Sequence, residues 1–210
     1  MDVMRRKATR AAAFAIAWLV AISPSVSSGP FDDGVAAYHR GDYGAALRAW
    51  TRAAEQGDVN AQTNLGFMHE HGDGVARDLA VALKWYRLAA ERGGAIAQHN
   101  LGVLYGLGHG VPQDRAEAAR WYGRAAEQGY PRAQHNLAVL YEHGEGVPKD
   151  PVRAHMWFEL AALHFGARTV DGLDAAADRD RLAASMTAAQ VAQAKALAQE
   201  WLAVTEGREP

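Results

Sequence analysis

The sequence contains no cysteine, and this absence limits both how the fold is held together and what chemistry it offers. Without cysteine no disulfide forms and no thiolate binds a metal ion, so the fold must depend on packing. Beyond residue 22 no apolar run approaches the roughly 20 residues that a membrane-spanning helix needs. The formal net charge is only −2, which disfavours nucleic acid as a partner.

Sequence patterns of known catalytic sites are also missing. Ser-x-x-Lys, Gly-x-Ser-x-Gly and His-Glu-x-x-His do not occur, so neither an activated nucleophile nor a catalytic zinc can be assigned. Nine histidines are present, but His99 and His135 occupy equivalent places 36 residues apart. Helices stack about 10 Å apart, so one metal ion with ligands at about 2 Å cannot bridge them. We therefore expect incidental surface histidines and no catalytic, metal-binding or cofactor-binding residues.

The first 27 residues have the pattern of a secretory signal peptide. Residues 5–10 include four basic side chains, residues 11–22 are uncharged and mostly apolar, and small residues follow at 25–27. A helix over residues 11–22 would span about 18 Å, short of the hydrocarbon core of about 30 Å, so a retained anchor is the weaker alternative. The sequence predicts cleavage after Ser27, a periplasmic or secreted location, and no stable membrane insertion afterwards.

From residue 61 the chain repeats itself every 36 residues. The clearest copy, residues 97–132, reads AQHNLGVLYGLGHGVPQDRAEAARWYGRAAEQGYPR. The same landmarks recur at Leu65, Leu101 and Leu137, at Gly74, Gly110 and Gly146, at Asp78, Asp114 and Asp150, and at Trp85, Trp121 and Trp157. A fixed period of this length is typical of stacked helical arrays, in which no unit buries its apolar face alone.

Within each copy the spacing of apolar residues predicts two amphipathic helices. Leu101 and Leu104 fall on one face of the first helix, and Trp121 and Tyr122 fall on one face of the second. Between them, residues 108–114 contain two glycines and a proline, which end the first helix and form a turn. The paired alanines beside the tryptophans place those aromatic side chains in the core between the helices.

Helix ends are marked by capping residues. Asp114 and Asp150 are predicted N-caps of second helices, and Pro151 suits a first helical position. After residue 166 the period fails, yet Thr187 and Gln190 predict a capping box before a last helix over 188–204. An amphipathic helix is also predicted before that box, with its apolar positions at Leu173, Ala176, Ala177, Leu182 and Met186.

At these residues the sequence resembles the Sel-1-like repeats, which are relatives of the tetratricopeptide repeats. The family pattern from Ala97 to Ala126 is matched almost in full, with departures in the other copies at His69, Ala138 and Phe158. The resemblance implies an all-α fold, a right-handed α/α superhelix of stacked antiparallel helix pairs. The expected organisation is a signal peptide at 1–27 and a single domain at 28–210, with a tetratricopeptide-like repeat at 31–57, Sel-1-like repeats at 58–93, 94–129 and 130–166, and capping helices at 167–210.

The same resemblance implies a scaffold that binds other proteins through its concave face. Some exported Sel-1-like proteins are described as β-lactamases or penicillin-binding proteins, which leaves a cell-wall enzyme as the alternative function. That subgroup is rich in cysteine, whereas this chain has none. We therefore expect a non-catalytic, monomeric adaptor whose partner is a protein or peptide.

Helical angles indicate where such a partner would bind. On each first helix the core stripe leaves the opposite side free, and the resemblance places that side on the concave face. The predicted groove residues are Thr63, Asn64, Phe67, Glu70, His99, Asn100, Val103, His135, Asn136, Val139 and Glu142. Phe67, Val103 and Val139 form its apolar strip, and exposed apolar strips bordered by polar groups are typical of interaction sites.

Two features of this groove have more than one interpretation. The recurring Asn64, Asn100 and Asn136 either tie each helix to its neighbour or hold the backbone of an extended peptide. His99 and His135 predict sensitivity of binding to pH near 6, because an unperturbed histidine titrates at about 6.5.

Overall fold

The structure is a computed structural model that describes residues 29–166 and 169–207. Ten helices occupy these residues, and none of the described residues forms a strand. The helices are α1 (Pro30–His39), α2 (Tyr43–Glu55), α3 (Val59–His71), α4 (Leu79–Glu91), α5 (Ala95–Leu107), α6 (Arg115–Glu127), α7 (Pro131–His143), α8 (Pro151–Phe165), α9 (Val170–Ala183) and α10 (Ala188–Glu206). The predicted signal peptide lies outside the described residues.

The helices stack in pairs along the chain. From α1 to α9 each helix packs against the next, and α10 returns to pack on α8. The predicted all-α array of stacked antiparallel helix pairs is thereby confirmed. None of the described helices is both long enough and apolar enough to cross a membrane.

Within a pair the two helices approach closely where a glycine faces an aromatic ring. A methyl group at Gly102 on α5 would lie only 2.5 Å from two ring carbons of Tyr122 on α6. In the third repeat, Ala138 and Phe158 replace the glycine and the tyrosine, and both are fully buried. Two of the departures from the repeat pattern, Ala138 and Phe158, therefore occur together at the contact that Gly102 and Tyr122 form in the preceding repeat.

The predicted core residues lie between the paired helices. Ala118 is fully buried, and so are its equivalents Ala82 and Ala154. Trp121 and Trp157 are only 7% and 8% exposed, so they are core residues as predicted. Trp85 is half-buried and packs against the edge of the core, so the prediction holds for it only in part. The aromatic and alanine positions of the second helices thus contribute to apolar clusters formed between helices, which a single repeat cannot form alone.

Helix ends follow the sequence signals. The carboxylate oxygens of Asp114 and Asp150 accept hydrogen bonds from the backbone nitrogens of Glu117 and Arg153, at 2.9 and 3.0 Å. Pro151 occupies the first position of α8 as predicted. The first helices end in left-handed glycines, Gly72, Gly108 and Gly144, at φ of 83, 73 and 74°. These conformations favour glycine because a side chain would be strained there.

A buried glutamine connects each first helix to the preceding second helix. Its amide nitrogen donates to a backbone carbonyl near the C-terminal end of that helix, at 3.0 to 3.1 Å. The three pairs are Gln62 with Ala54, Gln98 with Ala90, and Gln134 with Ala126. Each of these carbonyls also accepts a hydrogen bond from the backbone nitrogen of the glycine three residues later, so the glutamine supplies a second bond to the end of the helix. The repeated Ala-Gln landmark is therefore a structural link.

For the C-terminal helices, the start of α10 agrees with the prediction, whereas the predicted buried face of α9 is only partly correct. Thr187 and Gln190 form the predicted capping box, and α10 extends two residues beyond the predicted end. On α9, Leu182 is buried, but Leu173 is 58% exposed and Ala177 is also exposed, so the predicted apolar face was wrong at these two positions. The reason is that α9 packs chiefly on α8, so a narrower face is covered than on an interior helix.

Candidate protein-interaction surface

Three cavities open along the first helices of the repeats. Their volumes are about 280, 360 and 360 Å³. Predicted groove residues line each of them: Asn64 and Phe67 in the first, Val103, Asn136 and Val139 in the second, and His99, Val103, His135 and Asn136 in the third. We call the surface lined by Asn64, Phe67, Val103, Asn136 and Val139 the first-helix groove.

An apolar strip runs along this groove, as expected. Phe67 is 39% exposed and stacks on His71, with ring centroids 4.0 Å apart. Val103 and Val139 are half-buried, and both line the second cavity. These three side chains occupy equivalent positions of successive repeats, so stacking aligns them along one side of the array.

Three predicted groove residues are buried, and their assignment to an open surface was wrong. Thr63 is 6% exposed, and its hydroxyl donates to the carbonyl of Val59 at 2.8 Å. His99 is 9% exposed and Glu142 is 7% exposed. The physical reason is that neighbouring elements cover these positions. Thr63 lies on α3, which packs between α2 and α4. The rings of Tyr122 and Tyr130 cover His99, and Arg181 of α9 binds Glu142. The open strip is consequently narrower than half of the helix surface.

The environment of His99 also corrects the expected pH response. Its Nδ1 lies 3.2 Å from the Oδ1 of Asn100, and its Nε2 lies 3.3 Å from the amide nitrogen of Asn136. The neutral ring that donates from Nδ1 and accepts at Nε2 satisfies both contacts. Burial lowers the pKa of His99, because a charged imidazolium is poorly solvated there. The pKa of His99 therefore lies below its ordinary value, which argues against His99 as a sensor near pH 6.

The C-terminal end of the groove is tied to α9. The Nε2 of His135 lies 3.0 Å from a carboxylate oxygen of Asp178. Arg181 donates to both carboxylate oxygens of Glu142, at 2.6 and 3.0 Å, and to Asp178 at 3.2 Å. The Arg181 hydrogen bonds lower the pKa of Glu142 against the opposing effect of burial. Both predicted groove residues therefore have partners on the capping helix.

Tyrosine hydroxyls connect the groove asparagines and one carboxylate to the second helices. The amides of Asn100 and Asn136 interact with the hydroxyls of Tyr86 and Tyr122, the tyrosines of the preceding helix pairs. The Tyr86 hydroxyl also donates to a carboxylate oxygen of Glu70 at 2.7 Å. Burial, followed by the Glu70 contact, raises the pKa of Tyr86. For Asn100 and Asn136 these contacts agree with the interpretation in which the recurring asparagines tie each helix to its neighbour.

Several residues that line the cavities did not emerge from the repeat pattern. Tyr38 and Trp50 border the first cavity beside Phe67. They belong to the outlying first repeat, where the 36-residue register places Trp50 at the position of Tyr86 in the next copy. Arg132 and Asp171 border the third cavity and face each other at 3.6 Å. Because the period fails after residue 166, Asp171 had no equivalent that the register could identify.

Two histidines are core residues, so the expectation of surface histidines was wrong for them. His155 is 1% exposed, and its Nδ1 has no hydrogen-bond partner among the described residues. Burial lowers its pKa. The second is His99, described above. In the part of the chain that the structure describes, no group of three histidine, aspartate or glutamate side chains is arranged to hold a metal ion.

A family model described as Sel1 repeat matches residues 59–94, 95–130 and 131–164. Among solved structures, the chain resembles a protective antigen present in uropathogenic Escherichia coli strains that displays an SLR fold, with 32% identity and a TM-score of 0.71 over 86% of this chain and 40% of that one. It also resembles a Sel1 repeat protein from Oxalobacter formigenes, with 34% identity and a TM-score of 0.62 over 64% of this chain and 55% of that one. The chain thus spans about half or less of either relative. None of the curated proteins matches it significantly.

Proposed function

Because the chain belongs to the Sel1 repeat family, we propose that it is a non-catalytic scaffold that binds a protein or peptide partner along the first-helix groove. Proteins of this family generally mediate protein–protein interactions. The observation that carries the proposal is the strip of Phe67, Val103 and Val139, which lies open to cavities in the groove. Val103 and Val139 pack in part against the core, and Phe67 is 39% exposed. Apolar side chains that stay partly exposed in register from repeat to repeat favour a binding surface.

The test compares two sets of serine substitutions. In the groove variant, Phe67→Ser, Val103→Ser and Val139→Ser remove the apolar strip. The control variant carries Leu88→Ser, Leu163→Ser and Val204→Ser, at side chains that are 37%, 57% and 52% exposed and line none of the three groove cavities. Circular dichroism first establishes that both variants are folded.

Each protein is then used to capture partners from an envelope extract, and affinity for the captured partner is measured. We expect the groove variant to lose binding by more than tenfold and the control variant to retain it. Unchanged affinity of a folded groove variant would show that the partner binds elsewhere.

The proposed location is the bacterial envelope, with residues 1–27 removed. Support comes from the basic and apolar pattern of residues 5–27. Mass analysis of the N-terminus of protein from its native cell tests this proposal directly. An intact Met1, or protein found only in the cytosol, would contradict it and favour a cytoplasmic adaptor.

The enzyme alternative is tested separately with a chromogenic β-lactam. Members of this family are typically non-catalytic scaffolds, and this chain lacks the Ser-x-x-Lys and Gly-x-Ser-x-Gly patterns. We expect no turnover above the uncatalysed rate. Turnover by the purified protein that is proportional to its concentration would replace the scaffold proposal with a catalytic one.

A further inference from the structure

The N-terminal end of the first-helix groove is an aromatic pocket. Its cavity of about 280 Å³ is bordered by the rings of Tyr38, Trp50 and Phe67, together with Val35, His39 and Asn64. The ring centroids of Tyr38 and Trp50 are 5.4 Å apart, and those of Tyr38 and Phe67 are 6.5 Å apart in an edge contact. A volume and lining of this kind fit one large apolar side chain of a partner.

The wall of this pocket contains an amide with unused hydrogen-bonding capacity. Asn100 and Asn136 each reach a tyrosine hydroxyl of the preceding helix pair. At the position that would serve Asn64 the chain has Trp50, whose indole nitrogen donates to the carbonyl of Phe31 at 3.2 Å. Among the described residues the side chain of Asn64 has no hydrogen-bond partner. An amide offers both a donor and an acceptor, which matches the backbone of an extended peptide.

Two carboxylates near the C-terminal end of α3 accept hydrogen bonds from tyrosine hydroxyls, and one of these tyrosines, Tyr38, borders the pocket. The Tyr38 hydroxyl donates to Asp73 at 2.6 Å, and the Tyr86 hydroxyl donates to Glu70 at 2.7 Å. No ion pair within residues 29–166 and 169–207 uses either carboxylate. Arg77 lies close by, but its Nε donates to the backbone carbonyl of Glu70. Neither carboxylate is therefore bound in an ion pair, so both remain able to pair with a cation of a partner.

We propose that this pocket binds a basic apolar segment of the protein partner. A large apolar side chain of the partner fills the aromatic pocket. Basic side chains next to it pair with Asp73, which bonds Tyr38 of α1, and with Glu70, which bonds Tyr86 of α4. The amide of Asn64 bonds the intervening backbone. This assignment rests on the proposed scaffold function and specifies the chemistry of its partner.

Synthetic peptides test this chemistry without knowledge of the natural partner. Three fluorescein-labelled peptides share one Gly-Ser carrier and differ only in a central Trp-Lys-Lys, Trp-Glu-Glu or Ala-Lys-Lys. Binding to the purified protein is followed by fluorescence anisotropy at low and high salt. We expect Trp-Lys-Lys to bind about tenfold more tightly than either other peptide, because exposed charge pairs and one buried ring contribute modestly each. The advantage over Trp-Glu-Glu should shrink at high salt.

Matched variants locate the binding site. Asp73→Asn with Glu70→Gln removes both charges but keeps an oxygen acceptor for each tyrosine hydroxyl, so folding should be preserved. This variant should bind Trp-Lys-Lys about tenfold more weakly and with little salt dependence. Glu55→Gln with Glu91→Gln neutralises two exposed carboxylates at the ends of α2 and α4 and should change nothing. Phe67→Ala should weaken the binding of Trp-Lys-Lys but not of Ala-Lys-Lys.

Equal binding of Trp-Lys-Lys and Trp-Glu-Glu, or unchanged affinity of the Asp73→Asn, Glu70→Gln variant, would overturn the inference. The envelope capture experiment separates this failure from that of the scaffold proposal. If the serine variant of the groove loses the captured partner while the Asp73→Asn, Glu70→Gln variant keeps it, the groove binds a partner of different chemistry. If the serine variant also keeps its partner, both proposals fail.

Discussion

Replacing Gly102 by alanine tests how closely the paired helices approach. Gly102 lies within α5, and an added methyl group would stand 2.5 Å from Cδ1 and Cε1 of Tyr122. Carbon atoms at optimal separation are about 3.5–4.0 Å apart, so the contact cannot be accommodated without movement. Tyr122 is only 7% exposed and packs in the core, so its ring has little room to yield. The substitution must therefore push the two helices apart.

Two opposing free-energy terms set the size of the effect. Overpacking of a core contact costs about 1–3 kcal/mol. Alanine is favoured over glycine within a helix by about 1 kcal/mol, which offsets part of that cost. We expect Gly102→Ala to lower the free energy of unfolding by up to about 2 kcal/mol. For a chain of this size that corresponds to a decrease in Tm of about 2–4 °C for each kcal/mol.

Gly123→Ala is the matched control on the facing helix. Gly123 lies within α6, and no heavy atom lies within 4 Å of an added methyl group. The helix-propensity gain then acts alone, so this variant should be more stable than the parent protein by about 0.5–1 kcal/mol. Urea denaturation followed by far-ultraviolet circular dichroism measures both. If Gly102→Ala raised the stability as much as Gly123→Ala does, the close approach of α5 and α6 would be refuted.

Further predictions concern the core and the response to acid. Trp121→Ala should lower the free energy of unfolding by about 3–5 kcal/mol, and Ala118→Leu by about 1–3 kcal/mol; denaturation curves unchanged from the parent would show that this face is not core. Burial lowers the pKa of His155 in the folded state, so stability is fully present above the ordinary histidine pKa of about 6.5 and declines as the pH falls through the lower folded value. His155→Leu should flatten that decline in urea titrations at successive pH values, and an unchanged slope would assign it to other groups. Arg181 lowers the pKa of Glu142, so its contribution is present above the ordinary glutamate pKa and lost as the pH falls through the folded value; Arg181→Ala should remove this acid-dependent part and leave the slope near pH 6 unchanged.

Much of the fold could be predicted because its determinants are local. The spacing of Leu101 and Leu104, the glycine turns and the aspartate caps act within one helix or one turn, where sequence separation is short. The groove was only partly predictable, because its residues are sorted by contacts between repeats. Phe67 could be placed at an open position from its helical angle alone. The burial of Thr63 could not be predicted in this way, because helical angles within α3 do not show which neighbouring helix covers that side.

By itself, the sequence determined the period of the array, the paired helices, the ends of those helices and the identity of the alanine and tryptophan core. The tertiary structure decided which polar groups are consumed by packing and which remain for a partner. Arg181 reaches Glu142 across 39 residues, and the Tyr86 hydroxyl is shared between α3 and α5. Asn64 does not form the contact that Asn100 and Asn136 make with a tyrosine hydroxyl, because the equivalent residue is Trp50, which has no hydroxyl group. Such differences between equivalent positions depend on side chains brought together from separate helices, so only the stacked array could determine them.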